Sequence, residues 1–99
     1  MIFTHYWLLV NRDRIGNTGD EMLEKAQIRA ARALLDWRQD DLAKAAKVGH
    51  ATIQRIERGR GAISGNVATL LRIKTALERA GVRFLEPDSD GGAGVRTKR

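Results

Sequence analysis

Residues 46–59, AKVGHATIQRIERG, carry polar side chains at a spacing that suits contact with nucleic acid. If residues 50–58 form a helix, Ile53 and Ile56 lie on one side of it and the polar groups lie on the other. The outward face then consists of His50, Ala51, Gln54, Arg55 and Arg58. In the major groove, Arg pairs with guanine and Gln with adenine through two hydrogen bonds each. This face therefore either reads base edges or is the solvated surface of an all-helical domain.

A helix of about eight residues is marginal on its own in water, so residues 50–58 need other helices to support them. Apolar periodicity predicts a preceding helix from about Asp20, its N-cap, to Leu35. Its expected apolar stripe is Leu23, Ile28, Ala31, Leu34 and Leu35. A further short helix should start at Gln39, with Leu42, Ala43 and Ala46 facing inward. Two short helices separated by three or four residues predict a helix-turn-helix geometry.

A fourth helix is predicted over residues 67–80, with Asn66 as its N-cap and Gly81 just after its end. The apolar positions expected on its buried face are Val67, Leu70, Leu71, Ile73 and Leu77. In the loop before this helix, Ile63 is expected to fill the core. The four helices then provide the hydrophobic core without any cysteine.

Both ends of the chain leave alternatives open. The segment VRFLE after Gly81 predicts a short strand with Val82 and Phe84 on one face. The final VRTKR is either a returning strand that makes a hairpin or a basic tail. The apolar start, IFTHYWLLV, has three interpretations. It is a strand or arm packed on the C-terminal segment or on a second subunit, a disordered or non-native segment before a true start at Met22, or a strand that binds a partner protein.

Composition points to a polyanionic partner. Eighteen Lys and Arg against twelve Asp and Glu give a net charge of +6, and residues 29–60 hold eight basic and four acidic groups. Charge alone fits a nucleic acid or a solvated basic surface equally well. No cysteine is present, and His5 and His50 have no evident co-ligands, so no metal or other cofactor is expected. No catalytic constellation is evident either, which argues against an enzyme.

The longest apolar run, MIFTHYWLLV, is too short to span a bilayer. It also lacks the basic start and the small-residue cleavage site of a signal peptide. We therefore expect a cytoplasmic protein with no membrane partner.

Residues 27–80 resemble the helix-turn-helix of Cro/C1-type (Xre-family) transcriptional regulators. The resemblance rests on Gln39, Leu42, Ala43, Val48, Ile53, Ile56 and the ERG of residues 57–59. It implies an all-α, lambda-repressor-like domain of four to five helices, which a C-terminal strand or hairpin and an N-terminal arm would extend. The corresponding division is an arm and linker over 1–19, the helix-turn-helix domain over 20–81 and the C-terminal segment over 82–99.

The same resemblance implies roles for particular residues. The base-reading positions would be His50, Ala51, Gln54 and Arg55. The phosphate contacts would come from Arg38, Gln39, Thr52, Arg58 and Arg60. An ion pair between Arg32 and Glu57 would join the first helix to the end of the third, with a plain surface arginine as the alternative for Arg32.

One position departs from the family pattern. Lys47 stands where the family usually has Gly, because the backbone at this turn has a positive φ. A residue other than Gly in that conformation costs about 1 kcal/mol. The departure leaves the expected fold unchanged but affects the turn that sets the register of His50.

Together these observations predict a sequence-specific regulator of transcription, a repressor, that binds double-stranded DNA as a homodimer. The alternative is an antitoxin that binds a partner toxin and represses its own operon. A second alternative, of another class, is an interaction module that uses the same helical fold without DNA.

Overall fold

The computed structural model of the chain describes residues 23–98. In chain order it has α1 (Lys25–Leu35), α2 (Gln39–Ala46), α3 (His50–Glu57), α4 (Val67–Arg79), β1 (Val82–Leu85) and β2 (Gly94–Thr97). The strands form an antiparallel pair in which Val82 lies opposite Thr97 and Leu85 opposite Gly94. This mostly helical fold with a C-terminal hairpin confirms the predicted fold class. The predicted arm over residues 1–19 and the predicted cap Asp20 lie outside the described residues.

The four helices pack around one core to which every helix contributes. Its largest fully buried side chains are Leu23, Ile28, Leu42, Ile53, Ile63, Ile73, Leu77 and Val82. Ile63, from the loop between α3 and α4, is 2% exposed, as predicted. Because α2 and α3 have eight residues each, their stability must come from this shared burial rather than from helix propensity.

The turn between α2 and α3 spans residues 47–49. Lys47 adopts a left-handed conformation, with φ 59° and ψ 46°. The backbone N–H of Val48 donates to the carbonyl of Ala43 at 3.0 Å, which closes the end of α2. A lysine therefore occupies the positive-φ position at which the family pattern has Gly.

The first helix begins at Lys25, so the prediction of a start near residue 20 was wrong. Leu23 and Glu24 are not helical, because their backbone pairs with the loop after α3. Glu24 forms a β-bridge with Ala62. The N–H of Ile63 donates to the carbonyl of Leu23 at 3.2 Å. This pairing holds the chain extended and delays the start of α1.

Three side chains predicted as core are exposed instead: Leu34 by 45%, Val67 by 39% and Leu71 by 51%. In α4 the buried positions are Leu70, Ile73, Ala76 and Leu77, which lie along one stripe. Val67 and Leu71 are apolar but lie beside that stripe, and no helix within residues 23–98 covers them.

Gln27 attaches the hairpin to the helices. Gln27 is only 3% exposed. Its Nε2 donates to the carbonyl of Leu85 at 3.3 Å and to that of Gly94 at 3.0 Å. Its Oε1 accepts from the N–H of Glu24 at 2.7 Å, which caps the start of α1. The C-terminal segment thus forms a strand pair bound to α1 rather than a free tail.

The backbone conformation of Lys47 generates a stability prediction. Lys47→Gly should raise the free energy of unfolding by about 1 kcal/mol, because glycine has no β-carbon to strain the left-handed turn. Thermal unfolding should report a midpoint higher by about 5 °C. Lys47→Ala is the matched control, since it removes the charge but keeps the β-carbon, and equal stabilisation by both variants would refute the strain.

Candidate nucleic-acid interface

Helix α3 has a buried and an exposed face. Ile53 and Ile56 are 0% and 3% exposed and anchor the helix in the core. The four side chains predicted to read bases are all exposed: His50, Ala51, Gln54 and Arg55. Three of the predicted phosphate contacts, Arg38, Arg58 and Arg60, are also exposed, whereas Gln39 and Thr52 are half-buried.

A bidentate ion pair joins α1 to the last residue of α3. Arg32 Nε lies 2.6 Å from Glu57 Oε2, and Arg32 Nη2 donates to Glu57 Oε1 at 2.7 Å. Arg32 Nη1 also donates to the carbonyl of Trp37 at 3.1 Å. The Glu57 side chain is 3% exposed, so this carboxylate is paired in a site that excludes water. The pair fixes the orientation of α3 against α1.

The network continues from Glu57 through Gln39 to His50. Gln39 Nε2 donates to Glu57 Oε1 at 3.1 Å. The Gln39 Oε1 atom is therefore the one that faces His50 Nε2, at 3.4 Å. The family resemblance implies that Gln39 contacts a phosphate. In the structure Gln39 connects His50, at the start of α3, to Glu57, at its end.

His50 also contacts an acidic residue of α2. His50 Nδ1 lies 2.9 Å from Asp40 Oδ1, and the two side chains are 47% and 55% exposed. Both ring nitrogens of His50 thus face acceptors on α2, and the imidazolium form donates to both. We call this arrangement of Asp40, His50 and Gln39 the clasp. Because it lies at the surface, His50 can leave it without exposing the core.

The role of Asp40 was missed by the sequence analysis. The N-terminus of α2 is capped by its neighbour Asp41, whose Oδ2 accepts from the N–H of Arg38 at 2.8 Å. Asp40 instead reaches across the turn to the first residue of α3. No periodicity links residues on opposite sides of a turn, so the sequence carries no signal for this pair.

Two cations of α1 hold the end of α3 and the loop that follows. Arg29 Nη1 donates to the carbonyls of Glu57 and Gly59. Lys25 Nζ donates to the carbonyl of Arg58 at 2.7 Å. Positive groups are favourable where the last carbonyls of a helix lack intrahelical partners. These contacts, also missed from sequence, fix α3 at its C-terminal end.

The exposed face thus belongs to a short helix that is held at both ends. The family model described as helix-turn-helix matches residues 28–72, from within α1 to within α4. These residues form a helix-turn-helix domain of the Cro/C1 type, the domain of DNA-binding regulators. No curated protein matches the chain at a significant level.

Across residues 23–98, no group of three or more His, Cys, Asp or Glu side chains is placed to hold a metal ion. In the same part of the chain, no helix is long and apolar enough to cross a membrane.

The ion pair generates a second prediction. Arg32→Met should lower the free energy of unfolding by about 3 kcal/mol, because it leaves the buried Glu57 carboxylate without its main partner. Urea unfolding measures the loss, and Arg83→Met, at an exposed position of β1, is the matched control.

The double variant Arg32→Met with Glu57→Met completes a double-mutant cycle. It should lose less stability than the sum of the two single variants, because no unpaired charge then remains buried. Additive losses would show that the two side chains act independently.

Proposed function

We propose that this protein is a sequence-specific regulator of transcription that reads the DNA major groove with α3. The observation that carries this proposal is the exposed row of hydrogen-bonding side chains on a helix fixed at both ends within a matched helix-turn-helix domain. A rigid helix is needed because base readout depends on hydrogen-bond geometry. The DNA-binding unit of the proposal is residues 20–81.

The base-reading residues are His50, Ala51, Gln54 and Arg55. Arg55 supports bidentate recognition of guanine, and Gln54 offers a donor and an acceptor suited to adenine. Ala51 is small enough for close approach or for contact with a thymine methyl group. The clasp must open before His50 Nδ1 and Nε2 can both face a base edge, since both are directed at α2 in the free protein.

The phosphate-binding residues are Arg38, Gln39, Thr52, Arg58 and Arg60. Arg58 lines a cleft between the first three helices together with Arg29 and Gln54. A backbone phosphate in this cleft would lie beside a base-reading side chain and the guanidinium of Arg58, whereas Arg29 is already bound to the carbonyls of Glu57 and Gly59. Such contacts position a protein on DNA but carry no sequence information.

The proposed regulator acts as a homodimer and as a repressor. A single module reads only a few base pairs, and two-fold pairing places two copies of α3 about 34 Å apart on a palindromic site. A dimer bound in this way would occupy a promoter and exclude polymerase. The antitoxin alternative uses the same DNA-reading face and is distinguished by a toxin that co-purifies.

The first test separates base readout from phosphate contact. Sites are selected from a random duplex pool, and fluorescence anisotropy then measures affinity at several salt concentrations. Arg55→Ala should cost about 1–3 kcal/mol on the selected site and relax the preference at one base pair. If this variant kept the same sequence preference, Arg55 would not be a base-reading residue.

The matched variants are Arg58→Ala and Arg60→Ala. Each should weaken binding to all sequences alike and reduce the slope of log affinity against log salt by about 0.9. Arg83→Ala removes the same charge from β1 and controls for the overall loss of positive charge. Loss of sequence preference with Arg58→Ala or Arg60→Ala would move that residue to the base-reading group.

The clasp generates another prediction. Asp40→Ala should tighten binding to duplex DNA by about threefold, because it removes a negative charge beside the proposed phosphate contacts and releases His50. It should also sharpen the preference at the base pair that His50 reads.

Asp90→Ala is the control, since it removes the same charge from the turn between β1 and β2. Equal gains from both variants would mean that net charge alone is responsible. Weaker binding by Asp40→Ala would show that the clasp holds His50 in its reading position.

A further inference from the structure

A groove of about 700 Å³ runs between the C-terminal end of α2 and α4. Its apolar lining is Ala45, Ala46, Leu71, Ala76 and Ala80. Leu71 is 51% exposed although it is the largest apolar side chain there. No residue of α3 lines the groove, so it is separate from the proposed base-reading face.

The charged side chains of the groove are Lys47, Arg72 and Arg79, and no carboxylate lies among its lining residues. All three cations are exposed, and within residues 23–98 none of their side chains forms a hydrogen bond or an ion pair. The cations of α1 differ, since Lys25, Arg29 and Arg32 are all bound to oxygens of the chain itself. Within residues 23–98, the groove thus combines exposed apolar surface at Leu71 and Ala45 with positive charge that no carboxylate neutralises.

This combination argues against a second copy of the chain and against a small molecule. Two copies joined face to face here would bring their Lys47, Arg72 and Arg79 side chains together, which is unfavourable. A small-molecule site usually has a few convergent polar groups within an enclosed apolar pocket. Here every polar lining side chain is exposed.

DNA also fits less well than protein. Phosphates would satisfy the three cations, but they would leave the exposed side chains of Leu71 and Ala45 uncovered. An amphipathic helix satisfies both features, because its apolar stripe covers this apolar surface while flanking acidic side chains meet the cations. The alanines leave room for a helix to approach closely between α2 and α4.

We propose that this groove binds an amphipathic helix of a partner protein that carries Asp or Glu on both sides of its apolar stripe. The site is independent of DNA reading, because no base-reading residue lines it. The regulator would thus bind DNA and an acidic protein through different surfaces at the same time.

The test uses the full chain and a synthetic 18-residue helical peptide with Leu at positions i, i+3, i+4 and i+7 and Glu beside them. Amide chemical shifts in ¹⁵N-labelled protein should change around Ala45, Leu71 and Thr75. A peptide with the same Leu positions and Lys in place of Glu is the matched probe. Binding of both peptides alike would overturn the charge complementarity, and no shift at 1 mM acidic peptide would overturn the site.

Two variants connect the binding to the groove. Leu71→Ser and Arg72→Glu should each weaken acidic-peptide binding at least tenfold, while affinity for selected duplex DNA changes less than twofold with Leu71→Ser. Both side chains are exposed, so the fold should be kept, and Arg83→Glu controls for the charge change.

Two results would assign the groove to another occupant and overturn the proposal. If Leu71→Ser lost affinity for DNA but kept affinity for the peptide, the groove would be part of the DNA interface. If Leu71→Ser converted a dimer to a monomer in sedimentation velocity, the groove would be the contact between two copies of the chain. Failure of the proposed DNA readout would leave the peptide result unaffected, so the two proposals can fail separately.

Discussion

The carboxylate of Glu57 is the group on which the arrangement of the helices depends. An ionised carboxylate that is 3% exposed is costly unless its oxygens are bound, and Arg32 and Gln39 supply three hydrogen bonds to it. One donor comes from α1 and the other from α2, while Glu57 ends α3. All three helices must therefore lie in one relative orientation for this residue to be buried. Apolar packing by itself tolerates small rotations of a short helix, whereas three directed hydrogen bonds do not.

Where local chemistry decides a boundary, the sequence predicted it well. Asn66 accepts from the N–H of Thr69 at 3.2 Å and starts α4 where expected, and Gly81, with φ 108°, follows its end. The start of α1 could not be predicted in this way. It is displaced by pairing with Ala62 and Ile63, which lie nearly forty residues further along the chain. Periodicity also gave apolar stripes that were too wide, because it cannot show which neighbour is present to cover Leu71.

The same distinction applies to the proposed DNA interface. The exposed face of α3 follows from the positions of Ile53 and Ile56 within the helix, so the sequence was sufficient to predict it. The clasp was not predictable, because it joins Asp40 to His50 across a turn whose geometry depends on the left-handed Lys47. A similar limit applies to Gln39, whose side chain can reach either a phosphate or Glu57. Only the packed structure shows that in the free protein it is bound to Glu57.

Net charge therefore overstates how much of the positive charge is available to DNA. Lys25, Arg29 and Arg32 neutralise or cap groups of the chain itself, and they hold α3 and the loop after it in place. Lys47, Arg72 and Arg79 have no side-chain partner within residues 23–98, but they line a groove that also exposes Leu71. The cations that remain beside α3 are chiefly Arg38, Arg55, Arg58 and Arg60, which is a small set for a chain of net charge +6. If Arg38, Arg58 and Arg60 make the proposed phosphate contacts, a single module has few of them and binds weakly alone. This is a physical reason for a second copy on the same DNA, independent of the resemblance to known regulators.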